Sequence, residues 1–259
     1  MKGYKKTPLS FERQMVAVSA SVTKEKNAIH SITEVDITEP RKIIKHHFEK
    51  TGVKFSFTSY IVCCLAKAIT LYPDFNSFIK GNKLIVLDDL TISVLIEREI
   101  NGEKVPEPIG IKEAQKKTLP EIQTEIRKAK ELQSNQIGSL TKYSWIRFIP
   151  KFLLKSFIRL AERNINLAKK YGKICVTSVG MFSKETLWFV PHGSATVLLT
   201  VGSINNKVIR IDNEFVEHEH LCLTVSFDHD IIDGAPAARF MNDLIKIIKS
   251  GELVENTMK

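Results

Sequence analysis

The sequence predicts an α/β protein in which strands and helices form layers around one hydrophobic core. Segments rich in Val, Ile, Leu and Thr alternate with segments whose apolar residues recur at helical spacing, and such interleaving is typical of α/β layers. The 259 residues, 43% of them hydrophobic, are enough to bury a large core. Because no repeat and no low-complexity linker interrupts the sequence, residues 1–259 are predicted to form a single domain.

The strand predictions come from composition and alternation. β-branched and other apolar residues dominate these segments, and the later ones have the uniformly apolar character of buried strands. The predicted strands are residues 17–22, 29–37, 84–97 (as one or two strands), 173–179, 194–202 and 221–227.

The helix predictions come from periodicity and end signals. A segment that follows a capping Ser56 or Thr58 is apolar on all sides and ends at Pro73, as expected for a helix inside the core. The final helix is predicted to end at Gly251. Beside the core helix, the predicted helices are residues 38–50, 120–133 (charged and facing solvent) and 235–249.

One segment is unusually basic and amphipathic. "SWIRFIPKFLLKSFIRLAERNINLAKK" begins at Ser144 and predicts a helical insertion at about residues 139–170. Its basic residues recur every four positions and form a stripe along one helix face: Arg147, Lys151, Lys155, Arg159 and Arg163. Three interpretations remain open: a helix that covers this protein's own apolar surface, a helix that contacts a partner protein, or one that lies on a membrane interface.

The charge balance narrows the class of partner. Lys and Arg number 38 against 29 Asp and Glu, so the net charge is +9. This excess favours anionic partners such as a phosphorylated cofactor, an acidic carrier protein or a membrane surface. Zinc-finger spacing, an aromatic RNA-binding motif and a dense basic tail are missing from the sequence, so neither nucleic acid nor a metal is predicted as a ligand.

The sequence indicates a cytoplasmic location. No stretch of about 18 uncharged apolar residues occurs. The N-terminal "MKGYKKTPLSFERQ" lacks the apolar region of a secretion signal. None of the cysteines lies in a CxxC pair, and each is expected to be a reduced, buried thiol: Cys63, Cys64, Cys175 and Cys222.

The stretch "SFDHDIIDGAPAARF" carries the candidate chemistry. His229 directly follows a predicted strand, and Asp233 comes four residues later at the start of the last helix. Reactive groups often lie where a strand ends, so His229 is a candidate general base. Spacing alone leaves the alternative open that His229 is a polar turn residue and Asp233 a helix cap.

The residues around His229 resemble a known family. "DHDIIDGAPAARFMNDLIKIIKSGE" is similar to the end of the catalytic domain of dihydrolipoyl acyltransferases, the cores of 2-oxoacid dehydrogenase complexes. Asp228 precedes the histidine, whereas the related chloramphenicol acetyltransferases and condensation domains commonly have His-His at that point. The likeness extends from about Ser10 to Glu252 through "AIHSITEVDIT", "LYPDFNSFI", "LPEIQTEIRKAK" and "ICVTSVGMF".

This resemblance implies a fold, a reaction and residue roles. The fold would be a two-layer α/β sandwich with a mixed sheet, like that of chloramphenicol acetyltransferase. The reaction would move an acyl group between the thiols of coenzyme A and a lipoyl group. His229 would be the general base and Thr177 the hydroxyl donor to the oxyanion. Asp233 would hold the histidine loop through an arginine, for which Arg13 is a candidate.

The resemblance also implies an assembly. The family places its active site between subunits of a homotrimer, with the histidine of one chain facing the Thr or Ser of its neighbour. The sequence has no lipoyl or peripheral-subunit-binding domain, so a lipoyl group would come from another, carrier-like protein. Three hypotheses follow: a stand-alone acyltransferase that uses a coenzyme A thioester, the core of a dehydrogenase complex with a separate lipoyl domain, or a non-catalytic scaffold.

Two departures from the family leave the substrate open. The family's Gly-Leu-x-x-Pro stretch is weakened to "NGEKVPEPIG", and Asp230 replaces the Arg that usually follows the histidine.

Overall fold

A six-stranded sheet dominates the part of the chain that a computed structural model describes, residues 3–100, 103–131, 150–180, 183 and 185–257. Its order is β1-β8-β7-β6-β4-β5. The short strand β6 runs parallel to β4 and β7, whereas the other neighbouring pairs are antiparallel. The predicted mixed sheet is therefore confirmed. The strands are β1 (Ala28–Asp36), β4 (Ile92–Ile100), β5 (Glu103–Ile111), β6 (Ile174–Ser178), β7 (Val197–Ile211) and β8 (Glu214–Asp228).

Helices cover one face of this sheet. One cluster of buried side chains joins α2, α3, α4 and α7 to the inward-facing residues of the strands, which is the two-layer arrangement expected. The helices are α1 (Phe11–Thr23), α2 (Thr38–Thr51), α3 (Phe57–Leu71), α4 (Leu119–Glu131), α5 (Lys151–Glu162), α6 (Ile165–Tyr171), α7 (Gly234–Ser250) and α8 (Glu252–Glu255).

Helix α3 is the predicted core helix. The Ser56 side chain accepts a hydrogen bond from the backbone N–H of Ser59, so Ser56 is the cap. The Tyr60 hydroxyl donates 2.7 Å to the carbonyl of Ile248 and ties α3 to α7. Burial raises the pKa of the Cys63 thiol to about 12, so this thiol stays protonated and inert as a nucleophile.

The strand predicted at residues 17–22 is wrong, because these residues belong to α1. Ser10 caps that helix by accepting from the backbone N–H of Arg13. Met15, Val18 and Val22 are three and four residues apart, so a helix places them on one side. Val18 packs with Met15 in a small cluster that α1 shares with α5. A helical neighbour far along the chain therefore decided the secondary structure.

Several strands differ from their predicted bounds. Residues 84–97 form parts of two strands, which is one of the two predicted alternatives. The two strands lie in different sheets, because β3 (Lys83–Val86) pairs with β2 (Ser77–Lys80) and with no other strand among the described residues. The sequence did not predict β5, whose two prolines argue against a central strand; β5 lies at the edge of the sheet, where proline is tolerated. Strands β7 and β8 continue past the core as a long hairpin, beyond the predicted 194–202 and 221–227.

The basic segment forms two helices rather than one. Asn164 interrupts it by capping α6, accepting from the backbone N–H groups of Asn166 and Leu167. One side of α5 packs on α1 through Leu154 and Ile158, as the intramolecular interpretation expects. The other side exposes large apolar residues: Phe152, Leu153, Phe157 and Leu160. The remainder of the predicted insertion, with Arg147, lies outside the described residues.

Candidate active site

His229 is the first residue beyond the last strand of the sheet. Strand β8 ends at Asp228, and the backbone N–H of His229 then donates 2.7 Å to the carbonyl of Asn27. The His229 side chain keeps 44% of its surface exposed. Because the backbone of His229 is fixed by this hydrogen bond and its imidazole ring is partly exposed, the ring can exchange a proton with a bound molecule.

A three-residue turn before β1 holds the histidine loop on both sides of His229. Lys26 Nζ donates 2.6 Å to the carboxylate of Asp228, which is only 6% exposed, and 2.8 Å to the carbonyl of Ser194. The Asn27 side-chain amide donates 2.9 Å to the Asp230 carboxylate. Sequence reasoning missed Lys26, because its partner Asp228 is 202 residues away and "KEKN" resembles an ordinary solvated turn.

Asp233 was expected either to cap α7 or to pair with an arginine, and it does neither within the described residues. It occupies the N-cap position of α7 but makes no capping hydrogen bond. Its side chain is 84% exposed, and Oδ1 lies 3.7 Å from His229 Nδ1. In the part of the chain that the structure describes, His229 is the one basic side chain within ion-pair distance of the Asp233 carboxylate, and Arg13 is not its partner.

Thr177 lies on β6, in the middle of the sheet. In the strand register Thr177 pairs with Thr200 of β7, and Thr200 pairs with Thr224 of β8. Residues that pair directly across adjacent strands point to the same face of the sheet, so the three threonine hydroxyls form a row on that face. Thr177 is half-buried, whereas Thr200 and Thr224 are fully buried, and their hydroxyls have no hydrogen-bond partner among the described residues.

The chain does not bring Thr177 and His229 together. The strand register aligns Thr177 of β6 with Thr224 of β8, two strands away. His229 comes five residues after Thr224 in the direction of β8, so the two residues are separated both along and across the strands. At the usual spacings within and between strands, this separates the two residues by about 19 Å. A cavity of about 30 Å³ beside Lys26, His192 and Asp228 has room for roughly one water molecule, not for an acyl group.

The described residues form neither a metal-ligand cluster nor a membrane-spanning helix. No three His, Cys, Asp or Glu side chains within the described ranges are grouped as metal ligands would be. The helices described are all too short or too polar to cross a bilayer.

Comparison with known proteins decides the family. The model of the 2-oxoacid dehydrogenases acyltransferase (catalytic domain) family matches residues 2–141 and 162–255. The chain belongs to this acyltransferase family. The match leaves out residues 142–161, which include nearly all of α5.

Curated relatives of this acyltransferase domain are components of 2-oxoacid dehydrogenase complexes. The acetyltransferase component of the pyruvate dehydrogenase complex of Bacillus subtilis is 26% identical over 249 residues, which is 92% of this chain and 49% of the relative. The succinyltransferase component of the 2-oxoglutarate dehydrogenase complex of Staphylococcus saprophyticus is 26% identical over 229 residues, covering 86% of this chain and 47% of the relative. The chain thus spans about half the length of these relatives.

Solved structures share the fold. The dihydrolipoamide acetyltransferase of Azotobacter vinelandii aligns with a TM-score of 0.71 at 19% identity, over 97% of this chain and 93% of the other. A probable dihydrolipoamide acetyltransferase of Listeria monocytogenes gives 0.70 at 21%, over 96% and 95%. A chloramphenicol acetyltransferase gives 0.52 at 12%, over 96% and 100%. The expected chloramphenicol acetyltransferase-like fold is confirmed.

Proposed function

We propose that this domain moves an acyl group between the thiol of coenzyme A and a second thiol or other acceptor. Membership of the acyltransferase family supports this assignment. The observation that carries it is the placement of His229, directly after β8 and with an exposed ring. A scaffold would need no reactive histidine at the end of a core strand.

In this proposal His229 is the general base. A thiol with a pKa near 8.5 is mostly protonated at neutral pH and attacks a thioester poorly. With its hydrogen on Nδ1, the ring accepts the thiol proton at Nε2, and the thiolate forms a bond to the thioester carbon. When the intermediate collapses, the carbon–sulfur bond of the leaving thiol breaks and that sulfur takes the proton from Nε2. General base catalysis of this kind typically contributes about 10²–10⁴-fold.

The two other site residues would support this step. The Thr177 hydroxyl donates to the oxyanion that forms when the thiolate attacks, and the neighbouring Thr200 and Thr224 keep the same sheet face polar. Asp233 faces Nδ1 at 3.7 Å, where its negative charge favours both the required tautomer and the transient imidazolium.

The complete site would lie between chains of a homotrimer. A separation of about 19 Å is too large for one thioester to contact both His229 and Thr177 of the same chain. A neighbouring copy that presents its Thr177 to His229 removes this difficulty and agrees with what the family resemblance implies. Larger trimer-based assemblies remain compatible with this arrangement.

The acceptor would come from outside residues 1–259. A dihydrolipoyl group is the favoured second thiol, because the curated relatives are dihydrolipoyllysine-residue acyltransferases. The second candidate function, the core of a 2-oxoacid dehydrogenase complex with a separate lipoyl domain, rests on the same relatives. The four unpaired cysteines are compatible with a reducing, cytoplasmic location.

The exposed side of α5 would contact either a partner protein or an anionic membrane. Large exposed apolar side chains beside the basic Lys151 are the pattern of interfacial helices. Flotation with liposomes that contain anionic lipid tests membrane contact: we expect binding that falls as salt rises and is reduced by Leu160→Glu. Absence of salt-sensitive binding would leave the partner protein as the explanation.

Acyl transfer from a panel of acyl-CoA thioesters to dihydrolipoamide and other small acceptors tests the assignment. We expect His229→Ala to lower kcat by about 10²–10⁴-fold with little change in KM. His46→Ala, at an exposed histidine on α2, is the matched control and should keep the wild-type rate. Equal rates for wild type and His229→Ala would exclude His229 as the general base, and transfer no faster than the uncatalysed reaction in both would remove the enzyme assignment.

A further inference from the structure

We propose that helix α5 is a positioning element for His229, acting through Glu25 and the turn formed by residues 25–27. This inference rests on the proposed acyl transfer and adds a structural element to it. The family match leaves out residues 142–161, and α5 is Lys151–Glu162. Nearly all of α5 therefore lies outside the part of the chain that the family model matches.

The first link joins α5 to Glu25. Arg159 donates to both carboxylate oxygens of Glu25, with Nε at 3.0 Å from Oε2, and Lys155 Nζ lies 2.9 Å from Oε1. Two cations on successive turns of α5 thus hold one carboxylate 134 residues away from Arg159 in sequence. The hydrogen bonds from Arg159 and then Lys155 lower the pKa of Glu25 to about 2, so the contact stays ionised across the physiological range.

Helix α5 is itself fixed at two other points. Leu154 is buried in the cluster that contains Val18 of α1, and Ile158 packs against the same cluster. At the end of α5, Lys173 Nζ donates 2.8 Å to the carbonyl of Glu162, immediately before β6. A helix held by packing and by a buried lysine can act as a fixed support for an exposed carboxylate.

The second link joins the turn to the histidine loop. The two residues after Glu25 bind residues 228–230 through three hydrogen bonds. Lys26 Nζ donates to the Asp228 carboxylate, the Asn27 carbonyl accepts from the His229 N–H, and the Asn27 side-chain amide donates to Asp230. Any rotation of the turn about Glu25 therefore displaces the backbone of His229. The connection from α5 to the catalytic loop is three consecutive residues long.

The expected consequence is on geometry rather than on stability. Exposed ion pairs contribute little to the free energy of folding, so their loss should not unfold the chain. A bidentate arginine restricts the orientation of its partner, however, and a displacement of about 1 Å at a reacting group can cost up to about 10²-fold in rate. We expect a three- to tenfold loss of kcat when both cations are removed, because the other contacts of the loop remain.

The test compares a double variant, Lys155→Gln with Arg159→Gln, with the control Arg163→Gln. Arg163 follows α5 directly and pairs with no carboxylate among the described residues. In the double variant we expect a lower kcat, an acyl-CoA KM within about twofold of wild type, and faster hydrogen exchange of the His229 amide. Arg163→Gln should match wild type in all three. Glu25→Gln removes the same contact from the other side without touching α5.

The amide exchange separates this proposal from the proposed function. Wild-type exchange and wild-type kcat in both the double variant and Glu25→Gln would overturn the role of α5 while leaving acyl transfer intact. If the His229 amide exchanges faster in the double variant while His229→Ala leaves the transfer rate unchanged, the link from α5 to the histidine loop stands and the proposed role of His229 as the base fails. Should the double variant lose more than a few degrees of Tm, Glu25→Gln alone decides, through the same kcat and exchange readouts.

Discussion

At the level of single residues, the accessibility of His229 follows from the end of β8. The sheet holds Asp228 inside, at 6% exposure, while the next residue reaches the surface with its backbone N–H already bonded. Strand periodicity and the position of the motif were enough to predict where His229 lies. The contacts of Lys26 and Asn27 were not predictable, because a local pattern carries no information on partners about 200 residues away.

Substitution of Thr177 tests whether its hydroxyl stabilises the oxyanion. Thr177→Val keeps the shape of the side chain but removes the hydroxyl donor, so kcat should fall by about 10²–10³-fold. Thr177→Ser restores the donor and should recover most of the rate. Steady-state kinetics with an acyl-CoA and dihydrolipoamide measure both, and melting temperatures check folding. A Val variant with the wild-type kcat would exclude Thr177 from stabilising the oxyanion.

At the level of secondary-structure elements, local signals succeeded where an element carries its own boundaries. The cap Ser56, the left-handed Gly52 after α2 and the left-handed Gly251 after α7 all lie where helices were predicted to begin or end. They failed for α1 and β5. Helix α1 is stabilised by packing on α5. Strand β5 tolerates its two prolines because it lies at the edge of the sheet. Both features depend on the tertiary structure.

The junction between β1 and α2 provides a prediction with a pH dependence. Asp36 accepts 3.0 Å from the backbone N–H of Thr38 and lies 2.7 Å from His218 Nδ1. Burial by itself raises the pKa of Asp36, but these hydrogen bonds outweigh it and bring the pKa to about 2. Since the unfolded value is near 3.9, the charged form stabilises the fold above about pH 4, and this contribution is lost as the pH falls towards 2.

Asp36→Ala should therefore lower Tm by roughly 2–6 °C at pH 7, because it removes a carboxylate that accepts from the first backbone N–H of α2. The difference from wild type should shrink as the pH approaches 2, where the native carboxylate takes up its proton. Thermal unfolding followed by circular dichroism measures both trends. Glu49→Ala, at an exposed residue near the other end of α2, should show neither. A difference that does not change with pH would contradict the assigned pKa.

At the level of the whole molecule, the decisive feature is the distance between the two proposed catalytic side chains. The register of β6, β7 and β8 places Thr177 about 19 Å from His229. Neither residue can be repositioned without breaking a sheet that forms one side of the core. A second copy is therefore the simplest source of the missing group, and catalysis should depend on assembly.

Mixed oligomers test this dependence. Neither His229→Ala nor Thr177→Val should be active alone. Mixed trimers should regain up to about one third of the wild-type activity, because one of the three interfaces in each pairs an intact His229 with an intact Thr177. Differently tagged chains, co-expressed and purified through both tags, provide the sample, and light scattering confirms its mass. If the mixture stays as inactive as its parents, or wild type is an active monomer, the intersubunit site is excluded.

What the amino-acid sequence determined by itself is the α/β class, the core helix α3, the terminal helix α7 and the position of His229 after a buried strand. These features are encoded within about twenty residues, through periodicity, caps and turn residues. The tertiary structure alone decided that residues 17–22 are helical, that α5 holds Glu25, that Lys26 secures Asp228, and that Thr177 lies far from His229 in one chain. Each of these depends on packing or strand register between segments that are distant in sequence, where no local pattern can specify the partner.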